Sequence, residues 1–185
     1  MSQKVYDAEY ERDMLNYFDE MLPEKIYDAH FHLSRAYTQR CGYQGTPFAQ
    51  YTEFMEKYLG RNIRGGMVMP PPSRKHTAES LADDNAYNLE EAEEHDLEAG
   101  LIVSPDCGRE ATEKKLEEFP RIRMLKPYLT YTPKENTFET DILDFAPEWM
   151  WCLAHDRKMP IMVHLSHYQN MLNDPRNWGQ IRYLC

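Results

Sequence analysis

The segment KIYDAHFHLSR, residues 25–35, places His30 and His32 one residue apart at the end of a short apolar run, shortly after Asp28. On a β-strand, residues two apart project from the same face. Two imidazoles set in this way can offer their nitrogens to one metal ion. Solvated surface histidines, or one buried histidine with an unrelated neighbour, would leave the same letters, so the rest of the chain has to decide. By the same alternation Asp28 falls one step further down that face and is expected to support the pair from behind.

A third nitrogen must come from another element. IMVHLSH offers His164 at the end of an apolar run and His167 just beyond it. His164 is the better candidate, because a rigid strand aims a side chain and a loop does not. Lys126 ends the run RMLKPYL in a comparable place. Its ammonium could bind a substrate carboxylate, bridge metals or reach solvent, and the anion-binding role is preferred here. His76, Asp106 and Cys107 follow other strand ends, and Tyr128 and Arg35 are further candidate substrate contacts. His95 lies in an acidic helix face. His155 stands near a helix end, where a cation complements the dipole.

These residues need elements that bring strand ends together. Residues 7–22 have the spacing of a first helix, stopped by Pro23, and KIYDAHFHL follows as a strand. PFAQYTEFMEKYL is helical, with Pro47 suited to the first turn. GGMVMP is a strand closed by prolines. Residues 77–98 carry Leu81, Ala82, Ala86, Leu89, Ala92 and Leu97 as a helical stripe, with Thr77 as a cap. AGLIVSP, RIRMLKPYL and MPIMVHLSH read as strands; GREATEKKLEEF, APEWMWCLAHDRK and DPRNWGQIRYLC read as helices. Short, near-continuous apolar strands alternating with helices predict an α/β fold with a parallel sheet covered on both faces. Neither G-x-G-x-x-G after the first strand nor G-x-x-x-x-G-K-[ST] occurs, so the nucleotide-binding fingerprints are missing. The unusual residues cluster instead at the C-terminal ends of strands, the active edge of a (β/α)8 barrel.

Asp28-Ala29-His30-Phe31-His32, ending a first strand, resembles the opening motif of the amidohydrolase superfamily. The best match is the amidohydrolase-2 branch, which includes the aminocarboxymuconate-semialdehyde decarboxylase-like enzymes. The resemblance runs from about residue 25 to the end of the sequence. It implies a distorted TIM barrel in which His30, His32 and His164 hold a divalent metal, commonly zinc. It further implies hydrolysis of an amide, ester or lactone through a metal-activated water, with non-oxidative decarboxylation of a small acid as the runner-up. The branch often reads K-L-H-P where this chain has Met124-Leu125-Lys126-Pro127, so lysine stands in a histidine's place. The family's sixth-strand histidine and eighth-strand aspartate, its usual water activator, have no counterpart, and no catalytic residue is assigned. A TIM barrel takes about 200 residues or more. The 185 residues here therefore read as a helical extension, 1–24, followed by an incomplete barrel, 25–185, with the first five strand–helix units. A homo-oligomer, a completing chain or further residues would supply the remainder; a non-catalytic partial barrel is the alternative from another class.

Composition narrows the partners. A net charge of −10 with no basic stripe argues against nucleic acid and anionic membranes. Cys41, Cys107, Cys152 and Cys185 are widely spaced, which fits free thiols in a reducing compartment better than a disulfide scaffold. With no signal-peptide pattern and no apolar run near the ~18 residues a bilayer requires, a cytoplasmic protein acting on a small molecule is expected.

Overall fold

Strand order follows chain order. The computed structural model describes residues 8–35, 47–59, 62–71, 77–165 and 173–185. Its elements are α1 (Ala8–Met21), β1 (Lys25–His32), α2 (Phe48–Leu59), β2 (Asn62–Met69), α3 (Ala78–Glu94), β3 (Glu98–Ile102), α4 (Arg109–Glu118), β4 (Ile122–Lys126), α5 (Ile142–Phe145), α6 (Glu148–Arg157) and α7 (Pro175–Leu184). The sheet has four strands in the order β1-β2-β3-β4, and every pair is parallel. The predicted α/β class is therefore observed, with all C-terminal strand ends on one edge. The expected fifth strand, MPIMVHLSH, is present among the described residues only as an isolated bridge beside β4. Leu125 N–H donates to Pro160 O (3.1 Å) and Met162 N–H to Leu125 O (3.0 Å), around a parallel bridge between Leu125 and Ile161.

The two faces of the sheet differ. Phe31, Val68, Ala99, Leu101, Val103 and Leu125 pack in one buried cluster with helix residues such as Leu89, Ala92, Met150 and Leu153. Ile161, Val163 and Leu165 pack against the same cluster. By alternation, Met162 and His164 turn to the other face. Met69, Gly100 and Met124 meet on that second face, since a Cβ on Gly100 would stand 2.8 Å from Met124 Cε and 3.4 Å from Met69 Cβ. Lys126, two residues after Met124, points the same way.

Helix α3 fastens two strand ends at the C-terminal edge. Its start is the predicted one: Ser80 N–H donates to Thr77 Oγ1 (3.1 Å) and Thr77 N–H to Ser80 Oγ (2.8 Å). Its buried stripe is not the predicted one. Ala82 and Ala86 are exposed, whereas Asn85 and Asn88 are buried beside Leu81, Leu89 and Ala92. Asn85 Nδ2 donates to Ile102 O and Asn85 Oδ1 accepts from Ile102 N–H, both at 2.9 Å. Asn88 Nδ2 donates to Leu33 O at 3.2 Å. The amides meet backbone groups that the strand ladders leave unpaired, and an apolar residue there would strand them. The sequence also gave no sign of the turns and of α5 between β4 and α6.

β1 is bulged. Asp28 pairs with Gly66 and Phe31 with Val68, so β1 advances three residues where β2 advances two. Gly66 is required at this spot, because a Cβ would lie 2.4 Å from Phe31 Cε1 and 2.8 Å from Asp28 O. Gly66→Ala should therefore destabilise the protein by about 1–3 kcal/mol in denaturant melts. Gly179→Ala, on a helical position of α7 with nothing within 4 Å, should instead stabilise it by about 0.5–1 kcal/mol.

Candidate metal centre

The bulge decides which way the β1 side chains point. Asp28 accepts from Tyr51 Oη of α2, and the Tyr51 ring stacks on Phe31 with centroids 4.5 Å apart. Asp28 and Phe31 thus both face α2. His30 and His32 meet on the other side, with Nε2 atoms 3.2 Å apart and rings edge to face. This corrects the expected shared face for Asp28 and the histidines. Strict alternation holds only in a regular strand, and the extra residue between Asp28 and Phe31 shifts its phase. Asp28 supports the pair through the main chain, accepting His30 N–H at Oδ1 (3.0 Å).

His32 Nδ1 lies 3.1 Å from Met69 O. A carbonyl can only accept, so Nδ1 carries the proton and Nε2 keeps its lone pair. Metal-binding histidines are commonly oriented in this manner. Zinc–nitrogen bonds of ~2.05 Å in tetrahedral geometry put two nitrogens about 3.3 Å apart. The 3.2 Å separation of the two Nε2 atoms suits two ligands of one ion.

Two further predicted residues adjoin the pair. Lys126 is buried, 1% exposed, with its ammonium 4.9 Å from the centre of the Tyr128 ring. No carboxylate pairs with it among the described residues. Burial pushes its pKa down to about 8. His164 stands edge-on to Tyr128, with centroids 4.9 Å apart. Burial, and then the charges of Lys126, His30 and His32, push the His164 pKa down to about 4. His30 is lowered by desolvation and Lys126, against a raising influence of Asp28. His32 is lowered chiefly by desolvation, with the Met69 carbonyl opposing. All three imidazoles are accordingly neutral at neutral pH, the state that binds metals. Among the described residues no group of three or more His, Cys, Asp or Glu is arranged to hold a metal ion. His164 adjoins the His30–His32 pair without closing a three-ligand set.

Other candidates are engaged elsewhere. Tyr128 is buried, and its hydroxyl donates to Pro70 O (3.1 Å), so it contributes a ring wall. Arg35 pairs with Glu90 (3.2 Å) and lies over the Tyr87 ring. Cys107 Sγ lies 3.4 Å from Ser104 Oγ in the turn after β3 that also holds Asp106. His95 caps α3 against Glu91, and His155 is exposed in the last turn of α6. Cys107, Cys152 and Cys185 are free thiols. Cys41, His76 and His167 lie outside the described residues. Tyr51, which sequence reading missed, carried no signal beyond a place on an amphipathic helix. A shallow hollow at the opposite end of the strands is lined by Tyr27, Glu98, Arg121 and Arg123 and holds none of the predicted site residues. Its charges pair with one another, Arg121 with Glu93 and Asp96 and Arg123 with Glu98, so the histidine cluster is the better candidate site.

No family model matches the chain, and no curated protein matches it. The solved structure described as "The crystal structure of AsfvAP:AG" is similar over 87% of this chain, at 15% identity and a TM-score of 0.33. This chain spans 57% of that structure's length. No helix among the described residues is long and apolar enough to cross a membrane.

The lowered histidines predict a direction for pH dependence in metal-free protein. The unfolded chain takes up the His164 proton near pH 6.5 and the folded one only near 4. Protonation therefore favours unfolding in that window. Stability should be full above about pH 6.5 and fall on acidification toward about pH 4, read by thermal melts. His164→Asn should flatten part of that slope, with His30 and His32 supplying the rest.

Proposed function

We propose that this chain carries the metal-binding half of a metal-dependent hydrolase site of amidohydrolase type, built on part of a (β/α)8 barrel. The substrate is a small carbonyl compound, an amide, ester or lactone. The observation that carries the reading is the pairing of His30 and His32 Nε2 atoms at 3.2 Å beside Lys126 at the end of β4 and His164 just beyond the Leu125–Ile161 bridge. The barrel reading is supported by a strand order that never reverses, continued by the isolated bridge at the far edge of β4. Doubly wound sheets reverse their order at the ligand crevice.

A divalent ion, zinc first, would supply Lewis acidity toward the carbonyl and an acidified water. His30 and His32 would hold it, with His164 as the third ligand. Lys126 would receive a substrate carboxylate, since a buried ammonium without a described carboxylate partner gains most from an anion. The buried Tyr128 ring lies against both Lys126 and His164. The same lysine favours a carboxylate-bearing substrate, which keeps decarboxylation as the second reading.

Elemental analysis after exhaustive dialysis tests the site. The chain should retain stoichiometric metal, and His30→Ala and His164→Ala should each remove most of it. Lys126→Met should leave metal content unchanged while weakening inhibition by simple carboxylates. Metal content unaffected by either histidine substitution would sink the assignment, and absence of metal from the wild-type chain would favour a non-catalytic partial barrel.

A further inference from the structure

We propose that Tyr51 is a positioning residue for the His30–His32 pair, acting through Asp28. The inference rests on the metal-binding reading above and extends it to a residue outside the histidine cluster.

The bulge leaves β1 with one residue more than β2 can pair between Asp28 and Phe31. A backbone N–H freed in this way needs another acceptor. Asp28 Oδ1 is that acceptor, taking His30 N–H at 3.0 Å in a local turn from residue i to i+2. The other carboxylate oxygen is held by the Tyr51 hydroxyl. The Tyr51 ring in turn lies nearly parallel to Phe31, at 13° and 4.5 Å. One side chain of α2 thus grips both ends of the bulged stretch, Asp28 by its hydroxyl and Phe31 by its ring face. His30 lies between those anchors, and His32 follows with its Nδ1 fixed on Met69 O. Without the hydroxyl, Asp28 loses its fixed rotamer, and the His30 main chain loses its fixed acceptor. The separation of the two Nε2 atoms depends on that main chain.

Tyr51→Phe removes the hydroxyl and keeps the stacking ring, so it tests the link with little packing change. The probe is Co2+ added to the full chain, read by its visible absorption bands and by titration. Tyr51→Phe should weaken Co2+ binding roughly 10–100-fold, the usual effect of losing an outer-shell partner, and should alter the bands. Asp28→Ala should do the same. Tyr51→Phe placed on Asp28→Ala should add no further loss, because both cut one chain of contacts. Asp28→Asn keeps an acceptor for His30 N–H and should stay near the wild type. Circular dichroism and melting temperature identify a variant that has lost its fold, and the Asp28 series then carries the test. Tyr51→Phe with wild-type affinity and bands, while His30→Ala abolishes binding, would overturn the positioning role alone. Independent, additive losses from Tyr51→Phe and Asp28→Ala would overturn it as well. A wild-type chain that binds no Co2+ would overturn the metal reading, and this inference with it.

Discussion

One extra residue in β1 controls which side chains meet at the C-terminal edge of the sheet. Between Asp28 and Phe31 the strand slips out of phase with β2. Below the slip Asp28 faces α2; above it Phe31 and Leu33 enter the buried core, and His30 and His32 are left together on the opposite face. A regular strand could not put Asp28 and Phe31 on one side and keep both histidines on the other. The constraint reaches into β2 as well, where only glycine at position 66 clears Phe31 and the Asp28 carbonyl.

Burial sets the electrostatics of this edge. Lys126 is buried and His164 half-buried, with no described carboxylate beside the lysine, while His30 and His32 stand exposed at the end of β1 and are only partly desolvated. Desolvation disfavours charge, so the histidines hold their neutral form and the lysine ammonium is weakened. The lowered histidines keep their lone pairs free. The amides of α3 keep the scaffold beneath them fixed: Asn85 holds the end of β3, and Asn88 holds the backbone just after β1.

Much of this was legible in the residue pattern because strand and helix periods differ. Apolar runs of five to eight residues, separated by amphipathic stretches, located β1 to β4 and all the longer helices. Thr77 announced the start of α3. The stripe of α3 was misread because alanine counts as apolar and asparagine as polar. Burial follows the hydrogen-bonding needs of neighbouring strand ends, which a single helix does not encode. The partners of Arg35, Glu90 and Tyr87, were not legible either, because a long side chain follows whatever acidic and aromatic groups the fold brings near it.

The sequence by itself determined the α/β alternation, the parallel sheet and the strand-end location of His30, His32 and Lys126. These follow from local periodicity, which each segment carries alone. Only the tertiary structure decided that Asp28 turns away from the histidines and that Tyr51 holds it. It alone decided, too, that the Tyr128 ring lies against both Lys126 and His164. Those outcomes depend on register between strands and on what α2 and α3 pack against. A bulge is a mismatch between two strands, so neither strand's own sequence can announce it.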